Sequence, residues 1–205
     1  MCSGSVLVIK ILSSMLSTKL TVAKAKANNG LRRLLTAQGQ ELVDEVVKVL
    51  RDIGFSVTDV DKLVGEQKPK REDLRLSHSE KGGKQWNAIV EVRGHTRSGG
   101  SPADLLRLDR FARLYQNEAG QVPDKRIYIV NGQLELLPSQ RQEPLGSATE
   151  ELQVFQENDG ILIWSVDLFR VMKATKPSDY PALIESIKNG WGRWSPVHVL
   201  SSTAD

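Results

Sequence analysis

The run Ala88-Ile89-Val90-Glu91-Val92 constrains this chain more than any other stretch. A short apolar run rich in Ile and Val, closed by Gly94, reads as a buried strand, yet a carboxylate stands inside it. Side chains alternate along a strand, so Glu91 and Arg93 share one face and Val90 and Val92 the other. Upstream, Asp73-Leu74-Arg75-Leu76 alternates in the same way and puts Asp73 and Arg75 on one face. The loop between them carries Gly82-Gly83 and lets the two strands pair as neighbours. Asp73 and Glu91 can then come close. Carboxylates that close repel unless a proton or a cation lies between them. A hard, oxygen-seeking ion such as Mg²⁺ is one solution. Arg75 and Arg93 could instead satisfy the acids without any ion.

Around this pair the chain alternates helical and strand signals. Leu42, Val46, Val49, Leu50 and Ile53 recur at helical spacing and Gly54 ends the run, which predicts a helix over residues 31–53. Glu41, Glu45 and Asp52 border its apolar stripe. They are either solvated charges or, for Glu41 and Glu45, further ligands leaning over the strand ends. Residues 55–60 read as the next strand. Ser101-Pro102-Ala103-Asp104 opens a second helix, with a capping serine, a proline in the first turn and an acid three residues after the serine. Arg107, Arg110 and Arg113 lie along its exposed side.

Residues 126–130 and 161–164 are two more buried strands, and 148–157, 166–173 and 181–188 are helices. Residues 134–137 are ambiguous. Trp191 and Trp194 either pin the C-terminal end onto the core or offer a partner surface. Neighbouring strands with crossover helices around them predict an α/β sandwich with a mixed central sheet. Residues 1–30 read as an N-terminal extension, with strands at 5–12 and 19–23 or a linker. Residues 31–175 form the core, and 176–205 a C-terminal helix and loose tail.

A chain of 205 residues, 40% hydrophobic and 26% charged, fits one globular domain. A net charge of +3 permits a polyanionic partner. The candidate phosphate contacts are Lys68, Lys70 and Arg71 in the charged loop 65–72, Arg97 in the glycine-containing loop after Arg93, and Arg107 and Arg110 on the second helix. Each could equally be a solvated charge. The single cysteine, Cys2, leaves no internal disulfide and fits a reducing, cytoplasmic compartment. With His78, His95 and His198 it makes no zinc-like spacing. No stretch approaches the ~20 apolar residues of a membrane helix. Residues 6–12 are apolar but short, are interrupted by Lys10, and lack the flanks of a signal peptide.

Taken with these residues, the wording EDLRL, AIVEVRG, DLLRLDRFARLY and RIYIVN resembles the restriction-endonuclease-like PD-(D/E)xK nucleases, most of all uncharacterised bacterial members. The likeness covers about residues 31–175. It implies a restriction-endonuclease-like three-layer sandwich that hydrolyses DNA phosphodiester bonds with Mg²⁺ or Mn²⁺. Asp73 and Glu91 would be the metal ligands and Arg93 would stand at the lysine position. DNA would be the partner, with a homodimer or a fusion to a further domain as the route to cutting both strands.

Two departures bear on activity. Arginine stays protonated, so Arg93 can stabilise charge but not take a proton. The helix acid of many relatives falls near Val43, so either Glu41 or Glu45 substitutes from the helix edge or the acid is missing. The alternatives are a weak or inactive nucleic-acid- or protein-binding module on the same fold, or a regulatory α/β domain in which the acids pair internally.

Overall fold

A computed structural model describes residues 30–64 and 70–196, together with Met15, Leu16 and Lys19. The expected strand at 5–12, Lys68 and the tail beyond residue 196 lie outside the described residues. Met15, Leu16 and Lys19 are helical, as suits three good helix formers, and the rest of the expected strand at 19–23 lies outside the described residues.

The described helices are α1 (Arg33–Thr36), α2 (Gln40–Ile53), α3 (Val60–Val64), α4 (Pro102–Ala119), α5 (Thr149–Glu157), α6 (Ser165–Ala174) and α7 (Tyr180–Lys188). Among the described residues, six strands form one sheet in chain order: β1 (Ser56–Asp59), β2 (Leu74–Ser79), β3 (Gln85–Gly94), β4 (Lys125–Asn131), β5 (Gly160–Trp164) and β6 (Gly192–Arg193). β1, β2 and β3 pair antiparallel, whereas β3, β4, β5 and β6 run parallel. Parallel neighbours need a crossover: α4 bridges β3 to β4, α5 bridges β4 to β5, and α6 with α7 bridges β5 to β6.

Both faces of the sheet are covered, which explains why its central strands are continuously apolar. On one face Leu74, Leu76, Val90, Val92, Ile127, Ile129 and Ile163 pack under Leu42, Val46 and Leu50 of α2 and under α6 and α7. On the other, Ile89, Tyr128, Val130 and Leu162 meet Leu105, Leu108, Phe111 and Tyr115 of α4 and Phe155 of α5. The result is a three-layer α/β sandwich, as the alternation of signals predicts. Among the described residues no helix is long and apolar enough to cross a membrane.

The helix expected over 31–53 is interrupted. A 3₁₀ turn (Gly30–Arg32) and α1 precede a break at Ala37–Gly39, where Ala37 is extended and Gly39 has φ +57°. Two buried side chains occupy the carbonyls freed there. Asn131 Nδ2 donates to Ala37 O at 2.8 Å, and Arg141 Nη2 to Leu35 O at 2.8 Å. The apolar period runs on across Gly39, so the pattern alone does not register the stop.

The strand expected at 55–60 ends at Asp59 because Val60 begins α3. Residues 134–137 form no strand; their backbone instead bonds the loop after β3, through Leu134 N to His95 O and Glu135 N to Thr96 O. The two-residue β6 is an addition at the sheet edge. Beside it Trp194 is buried, while Trp191 is 63% exposed.

The break between α1 and α2 sits against the end of β3. A Cβ on Gly94 would lie 2.7 Å from Gln38 Cα, a distance backbone atoms do not tolerate. Gly94→Ala is therefore expected to lower stability by about 1–3 kcal/mol through overpacking, read as a drop in the urea midpoint. An unchanged midpoint would show that the break yields freely.

Candidate functional site

Asp73 immediately precedes β2, and the Leu74–Val90 pair sets it opposite Glu91. The β2–β3 ladder ends at that pair, so the Val92 N–H has no strand backbone beyond it to bond. It donates instead to Asp73 Oδ2 at 2.7 Å. Asp73 is 6% exposed and Glu91 fully buried. Glu91 Oε1 accepts hydrogen bonds from Arg93 Nη2 and, at 3.3 Å, from Arg107 Nη1. Arg93 Nη1 also lies 3.9 Å from Asp73 Oδ2. Glu91 Oε2 is buried and has no hydrogen-bond partner.

Burial pushes the Asp73 carboxyl up to about 6, against the pull of the Val92 N–H and Arg93. Burial, and then the Asp73 charge, push Glu91 up to about 7 despite Arg93 and Arg107. Both carboxyls thus favour a proton more than free side chains do.

A second group adjoins this pair. Asp104 of α4 is buried. Its Oδ2 accepts from Tyr128 OH at 2.9 Å and lies 3.2 Å from His95 Nε2, and its Oδ1 accepts from Arg107 Nη1 at 3.0 Å. Burial pushes Asp104 up, but the His95 and Tyr128 hydrogen bonds outweigh it and hold the carboxyl below its ordinary value. Burial and the Asp104 charge drive the Tyr128 phenol upward.

The structure therefore gathers Asp73, Glu91 and Arg93, and brings in Arg107 as a partner of Glu91. It leaves Glu41 exposed and Glu45 buried on α2. Among the described residues neither has a hydrogen bond or ion pair to Asp73, Glu91 or Arg93. Lys70 and Arg110 are exposed, the latter over the Phe111 ring at 5.7 Å. Arg97 is 88% exposed and lies 3.6 Å from Glu135. Arg71 is committed to Glu118. Arg75 points away from the pair, to Glu72 at 2.6 Å and Glu118 at 2.8 Å.

Sequence reasoning takes Asp104 for a helix-opening acid and passes over His95 and Tyr128. Ser101 occupies the expected N-cap position but makes no side-chain cap bond, and Asp104 is turned to the sheet instead. A polar phenol inside the apolar run Arg126–Val130 is the one signal that could have pointed there.

Asp73 and Glu91 suit a hard cation, since they are carboxylates and one buried oxygen is without a partner. Among the described residues no set of three or more acidic, histidine or cysteine side chains is arranged to hold a metal, so an ion would complete its shell with water and substrate oxygens. Comparison with family models, curated proteins and solved structures gave no match.

The raised carboxyls make stability depend on pH. Unfolded, Glu titrates near ~4.3 and Asp near ~3.9. The native state therefore binds protons that the unfolded state releases, and the stability from this pair is complete below those values. It is lost as pH rises through about 6 and 7. Without divalent ions, Glu91→Gln should become more stable relative to the parent between pH 5 and 8, by on the order of 3 kcal/mol. Urea titrations at several pH values would show this; a gap that narrows or stays constant would contradict it.

Proposed function

We propose that the chain is a divalent-metal-dependent nuclease that hydrolyses DNA phosphodiester bonds on a restriction-endonuclease-like core. The reading rests on one observation above the others: Asp73 and Glu91 converge at the β2–β3 junction with Glu91 Oε2 buried and unpartnered. In it, Asp73 and Glu91 would hold Mg²⁺ or Mn²⁺. When bound, such an ion lowers the pKa of a coordinated water and neutralises charge on the scissile phosphate.

The chain's own residues do the rest. Arg93, fixed by Glu91, stabilises the charge that develops on the phosphate oxygens. Arg107 bridges Glu91 and Asp104 and so fixes the carboxylate's direction. Exposed Arg97, Arg110, Arg113 and Lys70 offer phosphate contacts, which fits a net charge of +3. Cutting both strands would require a second site, from a homodimer or a fused domain, and a cytoplasmic location suits the lone cysteine.

A second reading has its own support. Glu91 Oε1 is already held by two guanidiniums, the arrangement of a nucleic-acid- or protein-binding module that has lost its ion.

Nicking of supercoiled plasmid with Mg²⁺ or Mn²⁺ separates the two. Under the nuclease reading, Asp73→Ala and Glu91→Ala each lose at least ~100-fold activity, as expected when a ligand of the catalytic ion goes. Mg²⁺ should also raise the melting temperature of the parent but of neither variant. Undiminished cleavage in both variants would sink the reading. Salt-sensitive DNA binding without turnover would favour the binding module.

A further inference from the structure

His95 has the surroundings of a catalytic imidazole. Its Nε2 lies 3.2 Å from Asp104 Oδ2 and 3.2 Å from Tyr128 OH. The Tyr128 hydroxyl donates its own proton to Asp104 Oδ2 at 2.9 Å, so it offers His95 only an oxygen lone pair. Nε2 thus faces two acceptors and no donor, and the proton of the neutral ring belongs on Nε2. Nδ1 is left with its lone pair, and among the described residues nothing hydrogen-bonds to it. His95 keeps 22% of its side-chain surface exposed. It differs in this from His78, whose Nδ1 is buried without a partner.

The ring's place is also fixed. The His95 N–H bonds Asn131 O at 2.9 Å, and its carbonyl accepts from Leu134 N. The loop is stitched to the end of β4 and to the chain after it, and the imidazole is held from both ends. The charged groups around it are Asp104 and Arg107 of α4, Tyr128 of β4 and Arg93 of β3. Asp104 Oδ1 contacts the same Arg107 that holds Glu91, so one carboxylate and one guanidinium link His95 to Glu91.

We infer that His95 is the proton acceptor of this site, with Asp104 and Tyr128 as positioning residues that set its tautomer. The inference rests on the nuclease reading above. It supplies what that reading lacks, because Arg93 stays protonated and cannot act as a base. In the step, a water proton passes to Nδ1 while the water oxygen bonds to phosphorus. The bond from phosphorus to the leaving sugar oxygen breaks, that oxygen takes a proton from solvent, and His95 returns its proton to bulk water. No electrons change hands.

The test uses the full chain in two measurements. In ion-free protein, ¹⁵N–¹H imidazole spectra should show His95 as the Nε2–H tautomer, and Asp104→Asn should turn it into a mixture. In plasmid cleavage with Mn²⁺ or Mg²⁺, His95→Ala should lower kcat by about 10²–10⁴-fold with KM little changed. It should also recover part of its rate with added imidazole. His95→Gln, which keeps an amide in the same space, guards against a folding artefact and should be as slow.

An Nδ1–H tautomer in the parent overturns the inference. So does His95→Ala cleaving within about threefold of the parent. No cleavage by the parent overturns the nuclease reading itself, and the base role with it.

Discussion

The hydrogen bond from the Val92 N–H to Asp73 Oδ2 is the contact on which this site depends. β3 runs on to Gly94 after its pairing with β2 has ended at Val90. The Asp73 carbonyl is spent on the Val60 N–H at the start of α3, so the side chain supplies the missing acceptor. An unpaired buried amide would cost about 1–3 kcal/mol. The fold therefore wants a carboxylate at residue 73 for its own sake, and in meeting that need it sets one opposite Glu91.

Charge then shapes what surrounds the pair. Asp73, Glu91 and Asp104 are acids, and among the described residues only Arg93 and Arg107 lie among them as permanent cations. The cluster is short of one positive charge. Bringing several carboxylates out of water is costly unless each is compensated, and a proton or a cation closes the deficit. Burial first, and for Glu91 then the Asp73 charge, raises the two carboxyls, and Glu91 Oε2 is left without a partner.

The strands were legible because burial on both faces leaves an unmistakable apolar run, as in Ala88–Val92 or Ile161–Trp164. Alternation alone put Glu91 and Arg93 on one face. The stop at Gly39 was not legible, since what holds the break is Asn131 and Arg141, side chains about a hundred residues away. Asp104 failed for the same reason in sharper form. Its local pattern is a good helix start, whereas its partners are 9 and 24 residues distant. Local signals reveal what a residue can do for its own helix; they do not reveal a second task met through tertiary contact. The threefold spacing of Arg107, Arg110 and Arg113 likewise predicted a shared exposed side, yet Arg107 alone reaches inward.

Arginine rather than lysine at residue 93 follows from this geometry. The side chain faces three acids at once, through Nη2 to Glu91, Nη1 toward Asp73 and Nε toward Asp104. A planar guanidinium with donors in several directions can address all three, whereas an ammonium is a point charge on a flexible stem. Arginine at this position secures the acids and cannot take a proton. On the nuclease reading, the group that takes a proton then lies elsewhere. Asp104 is the residue placed to link the two requirements, with one oxygen turned to the arginines and the other to an imidazole.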